Sequence, residues 1–300
     1  MRASGSSEQR LHDAIAAYYD YTTPFYRLFW HGDTAALHFG LAARSTRSAG
    51  DELLQTNRFL ARVGGIDRFT RVVDAGCGIG GSAIWLASHF GAQVTGLTLS
   101  SRQAARARRE IRRRGVADLV DVRVADYLDS GIADASVDVV WAIESVCYAD
   151  DKAEFLGEAF RILRPGGRLV LADGLLTREP ESSAERGRLG TFLEGLVLPG
   201  LASRDDLVAG MREAGFTACR YWDQTSAVLP SSQRLRRRCA AGLPLALAGQ
   251  ALGLTPKLLT ENLRAGIVQW SLVRSGLISY SVLRGEKPRP DQGFVADRIR

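Results

Sequence analysis

Apolar and polar positions repeat with two different periods along this chain of 300 residues. From Arg71 onward, short apolar runs of strand length alternate with longer segments that have helical spacing. The runs predict strands at 71–74, 93–99, 120–125, 136–143 and 168–172. Strands that alternate with helices at this spacing favour an α/β fold with a doubly wound, mostly parallel sheet and helices on both faces.

The segments on either side of this region have a different pattern. Residues 1–9 are small and polar, and we expect them to be disordered. Thr23-Pro24 is typical of a helix start, and a second amphipathic helix is predicted at 51–63. After 173 the pattern predicts helices near 188–197 and 204–214, a strand at 216–224, a helical insertion at 232–270 and a last strand at 277–284.

These patterns divide the chain into four parts. We predict an N-terminal helical cap at 1–63, a ligand-binding core at 64–175, a region at 176–288 that combines the remaining strands with a helical substrate lid, and a tail at 289–300.

The composition, 46% hydrophobic and 24% charged, is that of an ordinary soluble globular protein. Four cysteines lie far apart without a C-x-x-C pair, which indicates a reducing compartment and argues against a zinc site. No apolar core follows a basic start, so we expect no secretory signal and a cytoplasmic location. The stretch 243–259 is apolar but broken by proline and glycine, so we expect no stable membrane insertion.

A net charge of +6 and a pI near 9.4 raise the question of a nucleic-acid partner. Much of this charge is arginine between Arg102 and Arg114, where apolar residues recur at helical spacing and predict a solvated helix face. Aromatic residues of the kind that stack on single-stranded nucleic acid do not alternate with these arginines. We therefore predict no nucleic-acid partner.

A glycine cluster follows the first predicted strand. Gly76-x-Gly78-x-x-Gly81 satisfies the dinucleotide fingerprint, so an NAD-dependent oxidoreductase is one alternative. Asp74, at the strand end, would repel a pyrophosphate but would suit an ammonium group such as that of S-adenosylmethionine. The second strand ends in Thr98-Leu99-Ser100, where a dinucleotide fold expects an acidic residue. These two features favour S-adenosylmethionine.

Four segments together resemble the motifs of the class I S-adenosylmethionine-dependent methyltransferases: Val72 to Gly81, Asp126, the strand Asp138 to Ile143 and the turn Arg164-Pro165-Gly166-Gly167. The resemblance spans about 71–173. It implies a Rossmann-like seven-stranded sheet in which the last strand, 277–284, is inserted antiparallel.

Further segments resemble the branch of tocopherol, sterol and prenyl-diphosphate C-methyltransferases. They are Tyr19-Asp20-x-x-Thr23-x-x-Tyr26-x-x-x-Trp30 with His38-Phe39-Gly40, Gly96 to Gln103, Ile143-Glu144-Ser145 and Gly276-Leu277-Ile278. By this resemblance Gln103 and the 98–100 backbone bind the ribose, Asp126 accepts from the adenine amino group, and Tyr127 lies beside the ring. The full set of implied cofactor-binding residues is Asp74, Gly76, Cys77, Gly78, Gly80, Thr98, Leu99, Ser100, Gln103, Asp126, Tyr127, Tyr19, Tyr26, His38 and Gly40.

Glu144 is the first candidate for catalysis. It ends the fourth predicted strand, at the edge where ligands bind in open α/β sheets, and five apolar residues precede it. A poorly solvated carboxylate there could stabilise positive charge and then accept a proton. The alternative is that Glu144 caps a helix or pairs with an arginine. Tyr21 and Tyr148 are the other predicted catalytic residues, because aromatic faces attract cations, although most rings of the N-terminal segment are expected to be core.

The resulting hypothesis is C-methylation of a prenyl or terpenoid group through a carbocation, in specialised metabolism, with a hydrophobic small molecule as substrate. Alternatives are N-, O- or aromatic C-methylation of a natural product, and an inactive binding protein on the same fold. Arg234, Arg236, Arg237 and Arg238 could bind a diphosphate, but the solvated-face interpretation is favoured, and no metal site is predicted. The aromatic N-terminal arm could also pack on a second copy of the chain, which leaves a homo-oligomer open.

Overall fold

The computed structural model of the protein describes residues 5–26, 29–30 and 32–290. Its strands are β1 Arg71–Ala75, β2 Gln93–Thr98, β3 Val120–Val124, β4 Val137–Ile143, β5 Leu163–Leu176, β6 Thr217–Asp223 and β7 Ile278–Glu286. Its helices are α1 Gly5–Tyr26, α2 Ala49–Gly64, α3 Gly81–Phe90, α4 Ser101–Arg113, α5 Lys152–Ile162, α6 Ser183–Leu196, α7 Arg204–Glu213, α8 Thr225–Ala251 and α9 Lys257–Arg274. Short 3₁₀ turns occupy Gly32–Thr34 and Val146–Tyr148.

The strands form one mixed sheet in the order β3-β2-β1-β4-β5-β7-β6. The first five are parallel, and β7 runs antiparallel to both of its neighbours. The predicted sheet, with its last strand inserted antiparallel, is confirmed. Because β1 and β4 are adjacent, their carboxyl ends bring the glycine cluster and Glu144 to the same edge of the sheet.

The sheet is covered on both faces, and the alternation of side chains along its strands explains why. Val72 and Val139 belong to one buried cluster, whereas their successors Val73 and Val140 belong to a second cluster on the opposite face. A strand that is buried on both sides reads as a continuous apolar run, as β4 does. This is why the short runs of the sequence predict the strands correctly.

The N-terminal helix differs from the prediction. α1 runs from Gly5 through Pro24 to Tyr26, so the predicted helix start at Thr23 is wrong. The Thr23 hydroxyl donates to the carbonyl of Tyr19, four residues earlier, and thus bonds within the last turns of a helix instead of capping a new one. Residues 5–9 are helical, which contradicts their expected disorder, and residues 1–4 lie outside the described residues.

The predicted helical insertion consists of two helices, α8 and α9, and it begins at Thr225 rather than at 232. Both helices pack against each other, and α9 packs on α6. No helix in the described ranges has the length and apolar character that crossing a membrane requires.

Candidate active site

Two cavities meet at the carboxyl edge of the sheet. We call the one beside the glycine cluster the loop cavity, and the one enclosed by α1, α6, α8 and α9 the helical cavity. They contain about 950 and about 1150 Å³ of empty space, part of which is open to solvent. Five residues line both cavities, namely Tyr19, Leu37, His38, Glu144 and Tyr148. A ligand in each cavity would therefore meet the other at these side chains.

Gly76 and Gly78 line the loop cavity together with Cys77. Gly76 has φ +88°, and a Cβ atom there would lie 2.4 Å from Cβ of Ser145, so the turn requires glycine. Gly80 lies behind this wall, where it caps α3 with φ +81° and faces Ala107 of α4. The structure therefore places Gly80 in the turn, while the next residue, Gly81, lines the cavity.

Asp74 places a carboxyl group in the wall of the loop cavity. It is only 3% exposed, and its Oδ2 atom has no hydrogen-bond partner among the described residues. Burial raises the pKa of Asp74 from its ordinary 3.8 to about 7. A buried carboxyl oxygen without a partner fits a cationic ligand group and disfavours an anionic one.

The end of β2 and the start of α4 supply another wall of the loop cavity, formed by Thr98, Leu99, Ser100 and Gln103. Ser100 caps α4 by accepting from the backbone N–H of Gln103 at 2.9 Å. The Thr98 hydroxyl donates to Oε1 of Gln103 at 2.8 Å. These bonds hold the Gln103 side chain at the cavity wall, where the resemblance implies that it binds a ribose.

Asp126 and Tyr127 lie at the far end of the loop cavity. One Asp126 oxygen accepts from the backbone N–H of Leu128 at 2.9 Å, and the other lies 3.3 Å from Nε2 of His12. The Tyr127 hydroxyl donates to the carbonyl of Ser145 at 2.8 Å. His12 is a cavity residue that the sequence did not reveal, because it lies in α1 outside any motif.

Glu144 stands between the two cavities. Its Oε1 atom accepts from the backbone N–H of Phe39 at 2.7 Å and from the hydroxyl of Tyr280 at 2.8 Å. Burial raises its pKa from 4.5 to about 8, and Asp173 adds to this rise, although both hydrogen bonds lower it. The partners of the Glu144 carboxyl are therefore a backbone N–H group and a tyrosine hydroxyl, and not a helix N-terminus or an arginine. Glu144, the first residue after β4, also has a positive φ of +49°, which is uncommon for a residue other than glycine.

Tyrosine hydroxyls of α1 line the boundary. The Tyr19 hydroxyl donates to that of Tyr148 at 3.0 Å, with both rings in edge contact. Tyr26, which the resemblance implies as a cofactor ligand, lies instead in the helical cavity. There its hydroxyl bonds to that of Tyr18 at 2.8 Å and accepts from Nδ2 of Asn262 at 2.9 Å.

Tyr21 and Gly40 are not brought to the site. Tyr21 lies two helix positions after Tyr19 and thus on the opposite side of α1, where its ring contacts Phe25. Gly40 packs against α2, since a Cβ atom there would lie 2.7 Å from Cβ of Glu52. The glycine therefore permits close packing of the chain, and the prediction that it binds the cofactor is not supported by its position.

The helical cavity is lined mainly by apolar and aromatic side chains, and the carboxyl groups of Glu144 and Asp173 also lie in its wall. The sequence did not predict its residues from α6, α8 and α9, because their spacing indicates only buried helix faces. Some of its polar side chains are bonded to each other, as when Ser232 donates to Oε1 of Gln269 at 2.7 Å. Asp173 instead accepts from the backbone N–H groups of Cys147 and Gly174, each at 2.9 Å. Among the described residues, neither cavity is lined by lysine or arginine. Its apolar and aromatic lining includes Trp30, Phe39, Phe192, Leu196, Leu198, Leu201, Leu235, Val273 and Tyr280.

The arginines of α8 have other partners. Arg234 is paired with Glu52, Arg236 stacks on the ring of Trp270, and Arg238 donates to the carbonyl of Phe29. Within the described part of the chain, no group of three or more His, Cys, Asp or Glu residues could hold a metal ion.

Comparisons with known proteins agree with this geometry. A family model described as a methyltransferase domain matches residues 73–171. The chloroplastic tocopherol O-methyltransferase of Arabidopsis thaliana is 28% identical over an alignment of 294 positions, which covers 90% of this chain and 84% of that protein. The 27-O-demethylrifamycin SV methyltransferase of Amycolatopsis mediterranei (strain S699) is 34% identical over an alignment of 213 positions, which covers 70% of this chain and 72% of that protein. The chain belongs to the class I S-adenosylmethionine-dependent methyltransferases.

Solved structures of this methyltransferase fold are also similar. The [4+2]-cyclase SpnF has a TM-score of 0.74 at 25% identity, with 92% of this chain and 95% of that chain covered. A geranyl diphosphate methyltransferase in complex with GPP and sinefungin has a TM-score of 0.73 at 23% identity, with 93% of this chain and 99% of that chain covered. The prediction of a methyltransferase of the tocopherol and sterol branch, rather than an oxidoreductase, is confirmed. Its cofactor is S-adenosylmethionine, and the unpartnered Asp74 carboxyl suits the ammonium of that molecule.

Proposed function

We propose that this methyltransferase adds a methyl group to a carbon atom of a prenyl or terpenoid group, in an uncharged hydrophobic molecule of specialised metabolism. The observation that carries the proposal is the position of Glu144 between a cofactor-sized cavity and a larger aromatic one. The helical cavity is the acceptor site in this proposal, and the loop cavity is the donor site.

The walls of the helical cavity favour an uncharged acceptor. A diphosphate in this cavity would lack the lysine or arginine partners that such a group requires, because its described lining contains neither. Apolar and aromatic walls stabilise an isoprenoid chain by removing it from water. The hydrogen-bonded polar side chains, such as Ser232 and Gln269, are uncharged and can form hydrogen bonds with a hydroxyl or carbonyl group of the acceptor.

On the donor side, the proposed roles follow the walls of the loop cavity. Asp74 would hold the ammonium group, Gln103 the ribose and Asp126 the adenine amino group. When bound, S-adenosylmethionine supplies an electrophilic methyl group on a positively charged sulfur. The five shared residues exclude water from the point where the two ligands meet, and alignment of the reactants there contributes most to the rate.

Glu144 and the aromatic rings deal with the charge that carbon methylation creates. Addition of a methyl group to a carbon–carbon double bond leaves a cation on the acceptor. The rings of Tyr19 and Tyr148 stabilise such a cation by about 0.5–2 kcal/mol each. Ionised Glu144 then accepts the proton whose loss restores a double bond, and becomes neutral.

The test has two parts. Small-molecule extracts are incubated with the enzyme and a labelled methyl donor, and mass spectrometry followed by NMR shows whether the methyl group is bonded to carbon. Glu144→Gln is then compared with the wild type on that acceptor, after calorimetry with S-adenosylhomocysteine has verified donor binding. We expect a fall in kcat of about 100-fold or more, and unchanged turnover on saturating acceptor would eliminate the assignment.

O-methylation is the second candidate. It is favoured by the carboxyl of Glu144, whose pKa of about 8 suits deprotonation of a phenol or enol, and by the O-methyltransferases among the relatives. The same product analysis separates the two candidates, since an O-methyl product would replace the carbon-acceptor proposal.

A further inference from the structure

The C-terminal half of α8 exposes an unusual amount of apolar surface. Eight large apolar side chains are exposed in the described part of the chain, and four of these lie within residues 245–254. Leu245, Leu252 and Leu254 are 80%, 73% and 79% exposed, so they stand almost fully in solvent. Clusters of this kind on a soluble protein mark an interaction surface.

The exposed residues from 240 to 256 include no polar side chain. They share one face of α8 and the turn that follows it, whereas the opposite face of the helix carries buried Ala246 and the cavity residue Cys239. We call this surface the apolar hairpin face; its members are Ala240, Ala241, Pro244, Leu245, Leu247, Ala248, Ala251, Leu252, Gly253, Leu254 and Pro256.

The charges before this face have one sign. The sequence from 225 to 260 contains no aspartate or glutamate. Exposed Arg236, Arg237 and Arg238 precede the face, whereas Lys257, which follows it, is paired with Glu261 at 2.6 Å. The face is therefore an apolar strip with a cluster of arginines at its N-terminal end.

We propose that the apolar hairpin face docks on a lipid bilayer with anionic head groups. Leucines on one side of a helix bury themselves at the boundary of head groups and acyl chains, and neighbouring basic side chains are attracted to anionic lipids. This docking is peripheral, which agrees with helices too short or too polar to cross a membrane in the described chain.

A second copy of the chain fits this face less well. In a parallel pairing the arginines of one copy would meet those of the other, and these like charges oppose association. In an antiparallel pairing they would meet the neutral pair of Lys257 and Glu261, which supplies no counter-charge. An anionic surface supplies the negative charge that the arginines attract.

The apolar hairpin face lies on the same helical hairpin as the proposed acceptor site, so docking would bring that site close to the membrane. Leu235 and Cys239 of α8 and Asn262 and Gln269 of α9 line the helical cavity from the other side of the same hairpin. A docked hairpin therefore holds the cavity close to the phase in which a water-insoluble acceptor is dissolved. The proposal concerns a surface outside both cavities and goes beyond the proposed function.

Vesicle flotation of the full chain tests the docking. Vesicles of phosphatidylcholine are compared with vesicles that also contain phosphatidylglycerol. We expect the wild type to bind the anionic vesicles at least about tenfold more tightly, with the difference reduced by salt. The triple variant Leu245→Ser/Leu252→Ser/Leu254→Ser should lose binding by about 100-fold or more.

Phe69→Ser is the matched control, because Phe69 is 74% exposed in the loop before β1, and its loss should leave flotation unchanged. Calorimetry with S-adenosylhomocysteine should show that the triple variant binds this ligand with the wild-type affinity and is therefore folded. If the triple variant does not fold, the flotation test is made with the single variants Leu254→Ser and Arg237→Gln, each of which should bind anionic vesicles more weakly than the wild type. Absence of wild-type binding to anionic vesicles, or full binding by the leucine variants, would overturn the proposal. A wild-type dimer that the leucine variants dissociate, without vesicle binding, would assign the face to self-association instead.

Discussion

Replacement of Tyr280 by phenylalanine gives the sharpest test of the proton-accepting role of Glu144. The Tyr280 hydroxyl donates to Oε1 of Glu144 at 2.8 Å, and Tyr280 is buried while Glu144 is half-buried. Tyr280→Phe removes this donor and keeps the ring. A hydrogen bond to a carboxylate contributes about 1.5–3 kcal/mol, and 1.36 kcal/mol corresponds to about one pH unit.

The direction of the effect follows from the state that the bond stabilises. The hydrogen bond favours ionised Glu144, so its loss raises further the pKa of a carboxyl that burial has already raised to about 8. Glu144 can accept a proton only when it is ionised, so the rate falls as the pH drops below that pKa. Tyr280→Phe should therefore move the rising limb of the pH–rate profile to higher pH by about one unit or more.

The assay is the initial rate of transfer from labelled S-adenosylmethionine, measured with saturating acceptor across this limb. Tyr21→Phe is the matched control, because it makes the same chemical change on the outer side of α1, and its profile should coincide with that of the wild type. A lower plateau with an unmoved midpoint would refute the reasoning. It would mean that Tyr280 only shapes the cavity, or that Glu144 does not titrate in the rate-limiting step.

Two further predictions concern the loop cavity. Asp74→Asn should weaken S-adenosylhomocysteine binding at least about tenfold by calorimetry, because it removes a charged partner of the ammonium group. In the ligand-free protein burial raises the pKa of Asp74 from 3.8 to about 7, so ionisation of this carboxyl reduces stability as the pH rises through that window. Asp74→Asn should therefore raise the Tm at pH 8 by about 4 °C more than it raises the Tm at pH 5, and equal shifts would contradict this. Gly76→Ala, with φ +88° and a Cβ atom 2.4 Å from that of Ser145, should lower the free energy of unfolding by at least about 2 kcal/mol in denaturant titrations. Gly115→Ala, with φ +68° and open space, should lower it by about 1 kcal/mol, and equal losses would mean that the steric contact is not the cause.

The sequence predicts the sheet and the loop cavity well because both depend on local patterns. Each central strand is a short apolar run buried on two sides, as β4 shows, and each turn at the carboxyl edge follows directly in the chain. Asp74, the glycines and Ser100 therefore lie where strand ends and a helix cap place them. The antiparallel insertion of β7 is predicted only by the family resemblance, because the periodicity of a segment does not tell which strands are adjacent in the sheet.

The incorrect predictions concern α1, where the surroundings of a side chain depend on the face of the helix that it occupies. The motif that contains Tyr19 and Tyr26 does not tell which cavity each residue reaches, and the two side chains reach different parts of the site. Tyr21 was included because of its ring, although 200° of helix rotation separate it from Tyr19. Thr23-Pro24 has the composition of a helix start, but the tertiary contacts of α1 continue the helix through it.

The division between the two cavities also explains why the acceptor is harder to predict than the donor. The matched family domain, residues 73–171, contains most of the loop cavity but none of α1, α6, α8 or α9. Those helices come from both ends of the chain, and the bond from Asn262 to Tyr18 joins residues 244 positions apart. Substitutions in them can reshape the helical cavity without touching the donor walls, which allows one donor site to serve different acceptors. In the proposed function, the identity of the acceptor is therefore set by the shape of the helical cavity, and Glu144, which lines both cavities, is the residue that contacts both the donor and the acceptor.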